Sequence, residues 1–157
     1  MRTISSRQNP IVRTFRELAA DPPLDGRRLL LDGTHLVQEA RAARLSFEQV
    51  VVAAQHVDDG HEVGQLARAL SSEGVDVVAA TGPVMSAVSP VRTPSGIVAI
   101  VARTPSDPAQ ICRHSNALVI AAVDVQDPGN LGPLSRAAGA PGPPAPGGGG
   151  ASGGACF

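Results

Sequence analysis

The chain has 157 residues, of which 43% are hydrophobic and only 2% aromatic, and its formal net charge is −1. That length suits one ordinary domain, or a small domain plus part of another, with a core built from Val, Leu, Ile and Ala. Global charge points to neither nucleic acid nor membrane, no run of about 18 apolar residues offers a transmembrane helix, and two cysteines, Cys112 and Cys156, make neither a disulfide framework nor a metal site.

The placement of charge says more than its sum. All 13 basic residues are Arg, and Arg2, Arg7, Arg13, Arg16, Arg27 and Arg28 crowd the N-terminal segment. Two readings stay open: phosphate contacts, or a solvated face written by GC-rich codons. The N-terminus lacks an apolar signal core, so a cytoplasmic location is expected. His35, His56, His61 and His114 are scattered without metal-ligand spacing and read as surface or capping residues, so no metal is expected.

Asn9-Pro10 opens a helix, with Asn9 as cap and Pro10 at the first position. Ile11, Phe15 and Leu18 give it one apolar face, Arg13 and Arg16 point elsewhere, and Asp21-Pro22-Pro23 stops it. Arg28 to Leu31 reads as a strand, turned by Asp32-Gly33 into a helix over Thr34 to Ala43. Leu36, Val37 and Ala40 supply that helix's buried face, and Glu39 reads as a solvated carboxylate. A strand at 49–53 and a helix at 62–70 follow, the helix with Val63, Leu66, Ala67 and Leu70 on one face. A strand at 75–79 comes next, then a short helix capped by Thr81 and running to about Val88. The turn Thr93-Pro94-Ser95-Gly96 precedes a strand at 97–101. Strands alternating with helices at short spacing argue for an α/β sandwich with a mainly parallel sheet.

Residues 103–116 break the pattern and read as a linker. The apolar, β-branched run from Ala117 to Val123 reads as a buried strand. Asp127-Pro128-Gly129-Asn130 turns the chain, and Pro133 suits the first turn of a helix. Ligands collect at the carboxyl ends of strands in open α/β sheets. Asn130 and, one helical turn on, Arg136 are therefore candidates on residue chemistry alone, which leaves Arg136 open between a phosphate ligand and a helix-surface cation. From Ala137 onward charge and periodicity vanish. Residues 139–157 read as a Gly/Pro-rich disordered tail, for which a shift of reading frame near Gly139 is an expectation that the coding DNA decides.

Three patches resemble the SpoU (TrmH-like) RNA ribose 2′-O-methyltransferases. They are Ile4-Ser5-Ser6-Arg7-Gln8-Asn9-Pro10-Ile11-Val12-Arg13; the apolar triplet, acid-Gly and Glu-Ala helix of Leu29 to Ala40, together with Arg92-Thr93-Pro94-Ser95-Gly96-Ile97; and Asn130, Gly132 and Arg136 in the pattern Asn-x-Gly-x-x-x-Arg. The resemblance covers about residues 3 to 138. It implies an N-terminal three-layer α/β/α substrate-binding domain (1–102) and the start of a knotted SPOUT methyltransferase domain (117–138). It also implies S-adenosylmethionine as cofactor, rRNA or tRNA as partner, no membrane, and a homodimer for full-length members. The same resemblance makes Asn130 and Arg136 the catalytic candidates, and Arg7, Asn9, Arg13 and the Gly33 turn the RNA-binding ones. The family's two later motifs, which build the knot and the cofactor pocket, are not found in the sequence. No residue is therefore assigned to the cofactor, and this chain is expected to be inactive alone. Pro133 also departs from the family pattern.

Chemically, a ribose 2′-hydroxyl is a poor nucleophile that must be aligned and partly deprotonated. A guanidinium suits the neighbouring phosphate through bidentate contacts, but its pKa makes it a poor base. A non-enzymatic RNA-binding module made of the first domain is the competing reading, separated from the first only by catalysis. A nucleotide-binding loop at residues 127–132 is set aside, because its Gly spacing fits neither known fingerprint and the chain has no Lys.

Overall fold

Strand segments that are apolar at consecutive positions bury both of their faces, and this protein has such segments at 50–53, 77–80 and 97–101. The computed structural model describes residues 1–57 and 60–105. The strands are β1 (Arg2–Ile4), β2 (Arg28–Asp32), β3 (Ser46–Ala53), β4 (Val77–Ala80) and β5 (Ile97–Ala102). The helices are α1 (Pro10–Ala20), α2 (Thr34–Ala42), α3 (Glu62–Ser72) and α4 (Gly82–Val88), and a single 3-10 turn covers Ala54–His56. The strands form one sheet in the order β1-β4-β3-β5-β2.

Successive strand residues point to opposite faces, and the core divides accordingly. Val51, Ala53, Val78, Ala80, Val98 and Ile100 pack with Val12, Phe15 and Leu18 of α1 and Val84, Met85 and Val88 of α4. Val50, Val52, Val77, Ile97 and Ala99 pack on the other side with Val37 of α2 and Leu66, Ala67 and Leu70 of α3. The result is the expected three-layer α/β/α arrangement. Among the described residues no polar or charged side chain is buried.

The sheet is less parallel than its strand–helix alternation suggests. β1, β4 and β3 pair in parallel, whereas β5 runs antiparallel to both β3 and β2. Four strands thus share one direction and only β5 is reversed, yet its place between β3 and β2 makes two of the four pairings antiparallel. Chain length explains the reversal. α4 has seven residues, about 10 Å of helix. Ser89, just after it, already bonds Asp32 at the carboxyl end of β2, so the chain re-enters the sheet from the end where it left β4.

Local differences have local causes. Asn9 caps α1 as expected, its side chain accepting from the Ile11 N–H at 3.0 Å. The buried face of α1 is Val12, Phe15 and Leu18, one residue round from Ile11, which is half-buried. Leu36 is 44% exposed and outside the core, because Val37 and Ala40 already fill the α2 seam. β1 went unrecognised because three residues show no periodicity. β3 starts earlier than expected. Its register shifts between Phe47 and Gln49, and Glu48, the residue at the shift, accepts from Arg28 Nε and Nη2 at 2.9 and 2.6 Å.

Gly96 is a steric requirement. Its φ is +93°, and a Cβ there would lie 2.9 Å from His56 Cδ2.

Phe15→Ala should cost about 3–5 kcal/mol in denaturant unfolding, whereas Leu36→Ala should change stability by less than about 0.5 kcal/mol. Gly96→Ala should cost about 1–3 kcal/mol, while Gly82→Ala, where nothing lies within 4 Å, should be close to neutral in the same measurement. The Glu73 carboxyl is held below its ordinary range by hydrogen bonding to Arg41. A depressed folded value means that the pair stabilises above the ordinary carboxylate range and that this is lost as pH falls through the folded value. The small stability gap between the protein and its Glu73→Gln variant should accordingly close on acidification.

Candidate RNA-binding end of the sheet

Because β1 to β4 share a direction, their carboxyl ends gather at one end of the sheet, and the segments that follow them gather there too. Ile4 pairs with Ala80 and Ala80 with Ala53. Val52 stands opposite Ile97, and Val98 opposite Asp32. The turn at residues 5–9, the turn Ala54–His56, the start of α4, the loop 89–96 and the Asp32-Gly33 turn therefore share one end, where ligands collect in open α/β sheets.

Arg7, Asn9 and Gly33 all lie at this end. Arg7 is exposed, in a turn closed by the Asn9 N–H donating to Ser6 O at 3.2 Å. It has no carboxylate partner among the described residues. Asn9 commits its side-chain oxygen to the α1 cap. Gly33 precedes α2 with φ +114°, a left-handed geometry that favours Gly, and its N–H donates to Ile97 O at 3.0 Å. The structure does not bring Arg7 and Gly33 together. They stand at opposite edges of the sheet, four strand spacings apart, which is ~19 Å. Arg13 lies one turn into α1, where its Nε donates to Glu17 Oε1 at 2.6 Å. That hydrogen bond, and then the nearby charge, raises its already high pKa. Asn130 and Arg136 lie outside the described residues.

The electrostatics of this end favour an anion. Helix N-termini carry partial positive charge and unpaired amides. α1 is capped by Asn9, but neither α2 nor α3 has a side-chain hydrogen bond at its N-cap. At the opposite end three arginines are neutralised, Arg2 with Asp76 at 3.2 Å, Arg28 with Glu48 at 2.6 Å and Arg41 with Glu73 at 2.5 Å, and Arg44 is not. Arg7 and Arg92 at the carboxyl end have no such partner among the described residues, nor have Arg16 on α1 and Arg44 after α2. Lining the two ends up in this way needs the strand order, which sequence patterning does not supply.

The Asp32 carboxylate is assigned by sequence patterning only to a turn. It accepts from Ser89 and Ser95, residues 57 and 63 positions away, a separation at which no local pattern signals a contact. No group of three or more His, Cys, Asp or Glu able to hold a metal occurs among the described residues. None of their helices is long and apolar enough to cross a membrane.

No protein-family model matches the chain. Over an alignment 149 positions long, which covers 89% of the chain, it is 32% identical to an uncharacterized tRNA/rRNA methyltransferase of Synechocystis. A solved RNA 2′-O ribose methyltransferase superposes on 87% of the chain with a TM-score of 0.60 and 26% identity. The SpoU methyltransferase AviRb from Streptomyces viridochromogenes, solved in complex with AdoMet, covers 66% of the chain with a TM-score of 0.50 at 13% identity, a likeness of fold alone. The chain spans about half the length of the first two, 50% and 51%, and 36% of the third. The chain thus shares sequence over most of its length with a tRNA/rRNA methyltransferase, and its α/β fold is that of SpoU-like methyltransferases.

Proposed function

We propose that the described domain docks RNA at the carboxyl end of its sheet, for S-adenosylmethionine-dependent methylation of a ribose 2′-hydroxyl in rRNA or tRNA. One observation carries this reading: the uncommitted Arg7 and Arg92 share one end of the sheet with the helix N-termini, while Arg2, Arg28 and Arg41 at the other end are tied up in ion pairs. Guanidinium groups bind phosphate bidentately, and helix amides complement the same charge. The near absence of aromatic residues supports recognition through shape and backbone contacts, not through base stacking.

The cofactor would supply the methyl group. The described residues do not fit it. One groove is an exposed polar rim of Gln38, Arg41, Arg44 and Glu73, whose acid is taken by Arg41. A second is an open, mostly apolar surface that includes Leu18, Pro22, Leu29 and Pro90. Neither presents a free acceptor and backbone donors in a closed cleft. In the family pattern Arg136 would hold the phosphate beside the attacking hydroxyl and Asn130 would shape the site. A cytoplasmic location and a homodimer complete the proposal for the whole protein. Residues 103–116 would link its two domains.

Binding of bulk transfer RNA to the 157-residue chain should weaken steeply with salt, as phosphate contacts require. Arg7→Ala should lower the slope of log affinity against log salt by about 0.7–0.9, and Arg44→Ala, at the far end, should leave it unchanged. Salt-indifferent binding, or equal effects of the two substitutions, would contradict the assignment.

A further inference from the structure

The loop over residues 89–96 carries Arg92 between α4 and β5, and one carboxylate holds both of its ends. Ser89 Oγ donates to Oδ2 of Asp32 and Ser95 Oγ to Oδ1, each at 2.5 Å, and the Ser95 N–H reaches the same Oδ1 at 3.4 Å. Ser89 Oγ also accepts from the Val91 N–H at 3.2 Å, which shapes the turn just before Arg92. Beyond Ser95, Gly96 packs against the His56 ring so closely that no Cβ fits. Between these fixed ends Arg92 is exposed and without a carboxylate partner among the described residues. Ser95 also stands beside the Gly33 turn, its Oγ 3.8 Å from where a Gly33 Cβ would stand.

An aspartate at an anion-binding end is a liability, because a bare carboxylate repels phosphate. Here both oxygens are committed to hydroxyl donors, which spreads the negative charge into the protein and turns the acid into a clamp. Holding both loop ends also removes chain entropy that an RNA contact would otherwise have to offset. From this geometry we infer that Asp32 is a positioning residue, which sets the loop 89–96 so that Arg92 contacts an RNA phosphate beside the Gly33 turn. The inference rests on the RNA-docking reading and adds Arg92 to its binding residues.

The test is a double-mutant cycle in the 157-residue chain, with bulk transfer RNA titrated at several salt concentrations and folding followed by thermal melting. Arg92→Ala should weaken binding about tenfold and lower the salt slope by about 0.7–0.9, with an unchanged melt. Asp32→Asn should weaken binding comparably, yet add nothing further when Arg92 is already Ala, because it acts through that residue. If Asp32→Asn fails to fold, Ser95→Ala takes its place in the cycle with the same expected non-additivity. Full additivity of the two losses overturns the positioning role. Wild-type affinity and slope in Arg92→Ala, alongside a weakened Arg7→Ala, overturn the inference and leave the docking reading standing. Indifference of binding to both arginines overturns the docking reading itself.

Discussion

A sheet buried on both faces is the constraint from which the rest of this domain follows. Val50 to Ala53, Val77 to Ala80 and Ile97 to Val101 are apolar on consecutive positions, so helices must cover both sides. The interior then has no place for polar chemistry, and none is found among the described residues. Every group able to meet a charged ligand is driven to the sheet ends and helix surfaces. Strand direction sorts those ends into two unlike surfaces, one crossed by three Arg–carboxylate pairs and one where helix N-termini collect beside Arg7 and Arg92.

The reversed β5 sharpens this division. A full-length crossover after β4 would have returned the chain to the opposite end and left the carboxyl end with turns alone. The seven-residue α4 instead keeps the chain at that end and leaves eight residues, 89–96, there before β5 begins. Asp32 then ties that loop to the neighbouring strand. The same short connection thus accounts for the antiparallel pairings and for the loop that carries Arg92.

Much of this was legible in the sequence, for identifiable reasons. The Asn9-Pro10 cap, the Asp32-Gly33 turn and the alternation of strand and helix rest on local chemistry and emerge directly. Ile11 does lie on the apolar face of α1, packed against the core, whereas Leu36 stands outside the face the pattern assigns it, because helical spacing fixes a stripe only to within a residue and packing chooses between neighbours. The reversal of β5 was hidden because an apolar strand reads alike in both directions. Of the RNA-binding candidates, Arg7, Asn9 and Gly33 fall at one end of the sheet, although Asn9 is occupied as a cap and Arg13 is engaged by Glu17. Asp32 and its serines needed three dimensions, since the contact joins residues 57 and 63 positions apart. The resemblance to RNA methyltransferases was carried by motif order, and the 32% identity to the Synechocystis protein agrees with it.

The central claim is that one end of this sheet, and not the other, meets RNA. Backbone amide chemical shifts of the 157-residue chain, followed as bulk transfer RNA is added, test it most directly. The account predicts that the perturbed amides cluster in residues 5–9, 33–36, 81–82 and 89–96, with 41–48 and 73–76 unmoved. Perturbations concentrated around Arg41, Arg44, Glu73 and Asp76, or spread evenly over both ends, would contradict it.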